Sequence, residues 1–312
     1  MSDILHYLSI GIIVTLPALG VSIGEGLTNR TAVQMINEQP AAQAILQRIA
    51  VISMTLTETA LILAVVMGLI LVLKPPGTVH ADLVYVSIIL SVALPGFLVG
   101  IFSSIPGRAA LRAAARQPLF APQILQLLLL TQSVVQTPII FGFIIGLVLS
   151  TYLSTVNSSA EALRLFACGL TFALGSIGPL IGLSRLTGQA LSTTGTNREI
   201  FPRLRNFTLI SQALAETPVI FALIVSLTMM LVSETPFTST YPFIFILAAC
   251  TMGLTTLGTG LSSGRVSATA IYYMGTNPHL QNILARMSII TQAVVDTSSI
   301  WGLIAALLLI TR

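Results

Sequence analysis

Ser211-Gln212-Ala213-Leu214-Ala215-Glu216-Thr217-Pro218 places a carboxylic acid in the middle of a long apolar run. The same frame recurs as Thr55-Leu56-Thr57-Glu58-Thr59-Ala60, as Val134-Val135-Gln136-Thr137-Pro138 and as Val294-Val295-Asp296-Thr297-Ser298. The central residues are Glu58, Gln136, Glu216 and Asp296, at spacings of 78, 80 and 80 residues, and each is followed by a threonine. Three are preceded four residues earlier by a glutamine (Gln132, Gln212, Gln292), whereas the first has Met54 there. Four residues apart means one turn apart on one helix face. Nineteen residues before each central position lies a polar turn: Gln39-Pro40, Gln117-Pro118, Asn197-Arg198 and Asn277-Pro278.

A fixed period of this kind marks a repeat architecture. The units are 1–78, 79–157 (where Gln136 replaces the carboxyl), 158–237 and 238–312. Each is two long apolar segments joined by the polar turn. The segments predict membrane spans at 4–27, 47–74, 82–105, 122–151, 162–185, 205–233, 241–264 and 284–310, with short linkers at 74–81, 155–161 and 234–241. The expected fold is an all-α membrane protein of eight transmembrane helices in four tandem helical hairpins. Two spans per unit return the chain to the same side, so the hairpins are like-oriented, unlike the inverted repeats common in secondary transporters.

Composition supports lipid as the solvent. Hydrophobic residues make up 54% of 312 residues, charged residues 8%, and mean hydropathy is +0.94. Soluble domains carry about 25% charged residues. A bilayer core of about 30 Å needs roughly 20 apolar residues, and the runs meet that length. The first run lacks a basic n-region and a small-residue cleavage site, and reads as a retained span rather than a signal peptide. The net charge of +4 is spread between spans without an aromatic-interleaved patch, which argues against nucleic acid as a partner. Cys168 and Cys250 lie in apolar runs and read as small core residues. His6, His80 and His279 fall near span ends or in loops, without ligand spacing, and are expected to be interfacial or solvated.

Charge placement predicts orientation. Eleven of the fourteen basic residues flank the turns inside hairpins, and only Lys74, Arg164 and Arg312 lie in linkers or at the end. The positive-inside rule then puts the turns in the cytoplasm and both termini on the opposite side. The first helix of every unit is rich in small residues, Gly20, Gly24 and Gly26 in the first and Gly175, Gly178 and Gly182 in the third. Such residues let helix backbones approach closely.

Ionisable groups inside a span are functional candidates, because a charge there costs at least a few kcal/mol. Glu58, Glu216 and Asp296 occupy one register of a repeat. A protonated carboxyl is neutral and crosses lipid cheaply; beside a fixed cation it ionises and releases its proton.

The paired helices, glycine-rich first helix, polar turn and mid-helix carboxyl resemble the c subunit (proteolipid) of rotary ATP synthases. The sharpest match is Ala113-Ala114-Ala115-Arg116-Gln117-Pro118, similar to the Arg-Gln-Pro turn of F-type c subunits; Glu38-Gln39-Pro40 is a looser version. The resemblance covers essentially the whole chain, four times over. It implies an arc of a rotor ring, completed by further copies of the chain and turning against a stator subunit with a fixed arginine. It also implies that Glu58, Glu216 and Asp296 carry the ion and that Thr59, Thr217 and Thr297 hydrogen-bond the locked carboxyl or ligate a cation. Arg116, Gln117 and Pro118, with Gln39 and Pro40, would face central-stalk subunits. The chain would itself be non-catalytic and without a resident cofactor, its nucleotide chemistry lying in partner subunits.

Two departures matter. Four hairpins are fused where most F-type members have one. Gln136, an amide, cannot take up and release a proton near neutral pH, so hairpin two is expected to be silent. Glu25, in Ile23-Gly24-Glu25-Gly26, falls where sodium-selective members carry Gln or Glu, and with Glu58 and Thr59 resembles a sodium site. The register-equivalent positions Ser103, Leu183 and Ser263 are neither acid nor amide, which favours protons, with Glu25 and Glu58 sharing one. Fusion and Gln136 also fit a vacuolar or archaeal-type proteolipid of an ion-pumping ATPase. A secondary transporter would show broken helices and polar residues at several depths. Pro138 and Pro218 are expected to kink their helices and free a carbonyl one turn earlier.

Overall fold

The chain is seen in a computed structural model that describes residues 2–232 and 241–311. Residues 234–240 of the predicted third linker, including Glu234, and Arg312 lie outside them. The first hairpin is α1 (Ser2–Glu38) and α2 (Gln43–Val72). In the second, α3 (Asp82–Ile88) passes through a π-turn at Ile89–Ala93 into α4 (Leu94–Phe102) and α5 (Ser104–Arg116); α6 (Ala121–Val135) and α7 (Thr137–Tyr152) return. The third is α8 (Ser159–Thr194) and α9 (Phe201–Leu231), the fourth α10 (Tyr241–Thr276) and α11 (Gln281–Ile310). Eight helical runs among the described residues are long and apolar enough to cross a membrane.

The first helices outrun the predicted spans by about three turns, in the second unit across a break at Ser103 that precedes Pro106. The polar turn is set by proline. A residue preceding proline is driven out of the α region, and Gln39, Gln117 and Asn277 sit at φ −135°, −135° and −127° with ψ near 72–74°. A short 3₁₀ turn starting at the proline then leads into the second helix. The third turn has no proline there, and Asn197 accepts a hydrogen bond from Glu199 N at 3.1 Å instead.

Prolines also account for the interruptions. Pro95 lacks an N–H for the preceding turn, and the π-turn lies just before it. Pro138 follows a break at Gln136, whose N–H donates to Ser133 O at 3.2 Å in a tightened turn. At Pro218 there is no such break: α9 runs continuously from Phe201 to Leu231 with the proline inside it. The two sites differ at the central residue, since Gln136 caps the break and Glu216 stays within its helix.

Consecutive units pack side by side. The first helix of the second unit lies against α1 and α8, and α8 lies against α10; the second helices follow the same order. Hydrogen bonds between units join residues about one repeat apart. Ser87 Oγ donates to Leu165 O at 2.6 Å, Thr78 Oγ1 to Val156 O at 2.6 Å, Gln117 Nε2 to Gly195 O at 3.1 Å and Asn197 Nδ2 to Gly275 O at 3.3 Å. His6, expected at the surface, is instead 2% exposed and shares a 2.9 Å hydrogen bond with the Tyr85 hydroxyl. Arg164, counted among the linker charges although it falls at the start of the fifth predicted span, is buried. Its guanidinium pairs with Glu161 at 3.8 Å and donates to the carbonyls of Met229 and Val232. One rule covers both: a buried polar residue needs a partner, which the next unit supplies to His6 and the hairpin's own return helix supplies to Arg164.

Glycine sets the closest approach. A Cβ on Gly182 of α8 would fall on the Gly260 carbonyl of α10, and one on Gly24 of α1 on the Gly100 carbonyl. By contrast, nothing lies within 4 Å of a Cβ on Gly11. Gly182→Ala is expected to lower the thermal midpoint of the detergent-purified protein by the equivalent of about 1–3 kcal/mol, the usual cost of overpacking, while Gly11→Ala does not. Equal midpoints would show that the α8–α10 contact is not close-packed.

Candidate functional site

Each second helix after the first carries a glutamine one turn before its central residue, and this side chain reaches the unit before it. Gln132 Nε2 donates to Ser53 O at 3.0 Å and to Thr57 Oγ1 at 3.3 Å, while its Oε1 accepts from Ser53 Oγ at 3.1 Å. Gln212 Nε2 donates to Thr131 O at 3.0 Å and to Thr187 Oγ1 at 2.9 Å. Gln292 Nε2 donates to Ser211 Oγ at 3.2 Å, and its Oε1 accepts from Ser263 Oγ at 3.3 Å. All three glutamines are fully buried. Their rows tie α2 to α6, α6 to α9 and α9 to α11, one turn from the central positions. These bonds fix adjacent second helices to one another one turn before the central residues.

Those side chains do not meet one environment. Glu58 is exposed, Glu216 half-buried, and Asp296 and Gln136 buried. Gln136 Nε2 donates to Ser103 Oγ at 3.1 Å, so the second unit spans its two helices with a neutral bond. Ser103 is the register equivalent of Glu25. Glu25 is half-buried and lies close enough to Glu58 for their charges to interact. Glu25 Oε1, Gln136 Oε1 and Asp296 Oδ1 are buried and meet no hydrogen-bond donor among the described residues. A buried acceptor without a donor is costly, and an acid relieves that cost by binding a proton or a cation. The amide of Gln136 cannot become a donor at that oxygen.

Thr59 is half-buried, and the other two threonines bond back to their own helices. Thr217 Oγ1 donates to Ala213 O at 3.1 Å and Thr297 Oγ1 to Val294 O at 2.6 Å. Their remaining lone pairs can still accept a proton or ligate a cation. At the turns, Gln39, Pro40, Arg116 and Pro118 are exposed, and Gln117 is half-buried through its bond to Gly195 O. The glutamine rows escape a reading confined to one unit. Their signal is that a serine or threonine (Ser53, Thr131, Ser211) stands one residue before the glutamine position, one unit back.

These features define a multi-pass helical membrane protein that repeats a two-helix unit and holds an acid or amide at one level of each. The family model for the ATP synthase C subunit matches residues 166–229 and 246–309. Three proteins of Dehalococcoides mccartyi strains, each named as the c subunit of ATP synthase, are 36% identical over 74 residues, which is 24% of this chain and 97% of theirs. The chain belongs to the ATP synthase c-subunit family.

Gln212→Leu removes the donor to Thr131 O and Thr187 Oγ1 and leaves both buried. The expected cost is about 1–3 kcal/mol, read as a lower thermal midpoint. An unchanged midpoint would show that these bonds add nothing to the packing of α6 against α9.

Proposed function

We propose that the chain is an ion-translocating rotor component of the membrane sector of a rotary ATP synthase, forming four hairpins' worth of a ring closed by further copies of itself. The observation that carries this is the set of three acids and one amide held at a common register of a repeated two-helix hairpin. The repeat-spaced hydrogen bonds support an arc of like-oriented hairpins with unit boundaries at 78/79, 157/158 and 237/238. Glu58, Glu216 and Asp296 are the ion carriers. Each takes an ion from one side, crosses lipid neutralised, since an ionised carboxyl there is costly, and releases it beside a stator cation. Thr59, Thr217 and Thr297 supply oxygens to the loaded carboxyl. Exposed turns at Gln39, Pro40, Arg116, Gln117 and Pro118 meet the central stalk in the cytoplasm, and both termini lie on the other side.

Protons are the favoured ion, because only the first unit pairs a second acid with its carrier. There Glu25 and Glu58 share a proton, since two neighbouring carboxyls resist joint ionisation. Labelling of Glu58 by a carboxyl-reactive carbodiimide is expected to be indifferent to sodium. Protection by sodium would assign Glu25, Glu58 and Thr59 to a sodium site instead.

Gln136 makes the second unit silent, and its bond to Ser103 supplies a neutral link in place of a carrier. Gln136→Glu is expected to raise the carriers from three to four per chain, and with them the number of ions moved per ATP in reconstituted vesicles. An unchanged ratio would sink the assignment of Gln136 as the silent position.

The glutamine rows predict where copies join. Thr291 stands in the last unit where Ser53, Thr131 and Ser211 stand in the others, and the residue that would come opposite from the next copy is Met54. A thioether cannot donate. Met54→Gln is therefore expected to raise the temperature at which copies separate in mild detergent. No gain in cohesion would count against head-to-tail closure in this register.

A further inference from the structure

We propose that the arginines at the turn-proximal end of the open face of the first helices bind the phosphates of anionic phospholipids. The inference rests on the chain being embedded in lipid and does not require that it rotate.

The argument begins with α8. It is flanked by α3–α5 on one side and α10 on the other, and is backed by α6, α7 and α9. One narrow stripe stays accessible: Phe166, Leu170, Leu174, Ile177 and Ile181, ending at Arg185. The equivalent stripe of the second unit ends at Arg108, that of α10 at Arg265 and that of α1 at Arg30. The first helix of every unit therefore carries an accessible, mainly apolar strip that a guanidinium closes. On α8 the apolar part runs from 163 to 181, about 27 Å at 1.5 Å per residue, close to the roughly 30 Å of a bilayer core. This strip is long enough for acyl chains and terminates where headgroups would begin.

The arginines lack internal partners. The one carboxylate–guanidinium pair among the described residues is Glu161 with Arg164. Arg30, Arg185 and Arg265 are exposed. Arg108 donates through Nε to Ser104 O at 3.2 Å, which leaves its terminal amino groups for another acceptor. Arg112 and Arg116 extend the same stripe, and Arg112 lies close enough to Arg108 for the two charges to repel. Arg112 and Arg116 also line a cleft of about 460 Å³ with Met35, Glu38, Gln39 and Ala115. Glu38 offsets one of these charges, and the surplus is positive. Guanidinium binds phosphate oxygens in a bidentate fork, and basic pockets between membrane helices on the cytoplasmic side hold anionic headgroups.

Depth distinguishes lipid from protein as the occupant. Arg108 is nine residues and Arg185 twelve residues from their turns at Gln117 and Asn197, about 13 and 18 Å along the helix axis. A soluble subunit docked on the turns sits above that level. The apolar strip continues without interruption below it, as acyl chains require and an acidic protein segment does not.

The test is native mass spectrometry of the intact assembly released from nanodiscs with equal phosphatidylglycerol and phosphatidylcholine. Retained lipid is expected to be enriched in phosphatidylglycerol, roughly fivefold per arginine engaged. Arg185→Gln with Arg265→Gln should reduce the enrichment, while Arg286→Gln on α11 should not. Equal retention of the two lipids by the wild-type assembly would overturn the proposal. So would undiminished enrichment in the double variant, including the case where that variant instead loses a co-purifying protein subunit. Should the double variant fail to assemble, high salt applied to the wild type decides: enrichment that survives is not electrostatic, and the proposal fails.

Discussion

Inside a bilayer a polar group has no water to fall back on, and this constraint organises the chain. Backbone groups are satisfied within helices, and the side chains that cannot be are satisfied across units. The buried glutamines, the serine at 87, the histidine at 6 and the turn amides at 117 and 197 all find partners roughly one repeat away. Each unit thus completes the hydrogen bonding of its neighbour. That arrangement fixes the vertical register between hairpins more firmly than apolar contact could, because lipid tails compete equally well for apolar surface. Glycines then let the first helices approach to backbone contact.

The central acids gain their meaning from this framework. A carboxyl in lipid is one among many possible functional groups; here three stand in one register of a repeat, two of them a turn away from an interhelical glutamine. The amide at 136 occupies the same register with a neutral bond to Ser103. The chain therefore contains its own contrast between a group that can change protonation and one that cannot.

Much of this was legible in the sequence. The period of 78–80 residues, the polar turns and the central residues could be read from spacing alone, because membrane helices have a length set by the bilayer and turns are marked by proline. The burial of His6 was not legible, since its partner Tyr85 belongs to a neighbouring unit that a linear reading does not bring alongside; that of Arg164 depends on the return helix of its own hairpin, 65 residues away. The break at Gln136 and the continuity at Pro218 show the same limit. Identical proline placement gives different local backbones once the preceding residue is anchored in one unit and not in the other. The glutamine rows lay between these cases: the residues were visible, their partners were not.

Fusion joined to the Gln136–Ser103 bond has a mechanical consequence. In a ring of such chains, Glu58 and Glu216 are neighbours among the acids yet stand two hairpins apart, whereas Glu216 and Asp296 are one apart. With the three acids as the carriers proposed above, torque would come in an uneven stride, one long pace in every four hairpins. A stalk coupled to such a ring would have to store energy across that gap, and the rhythm would follow from the order of the covalent units.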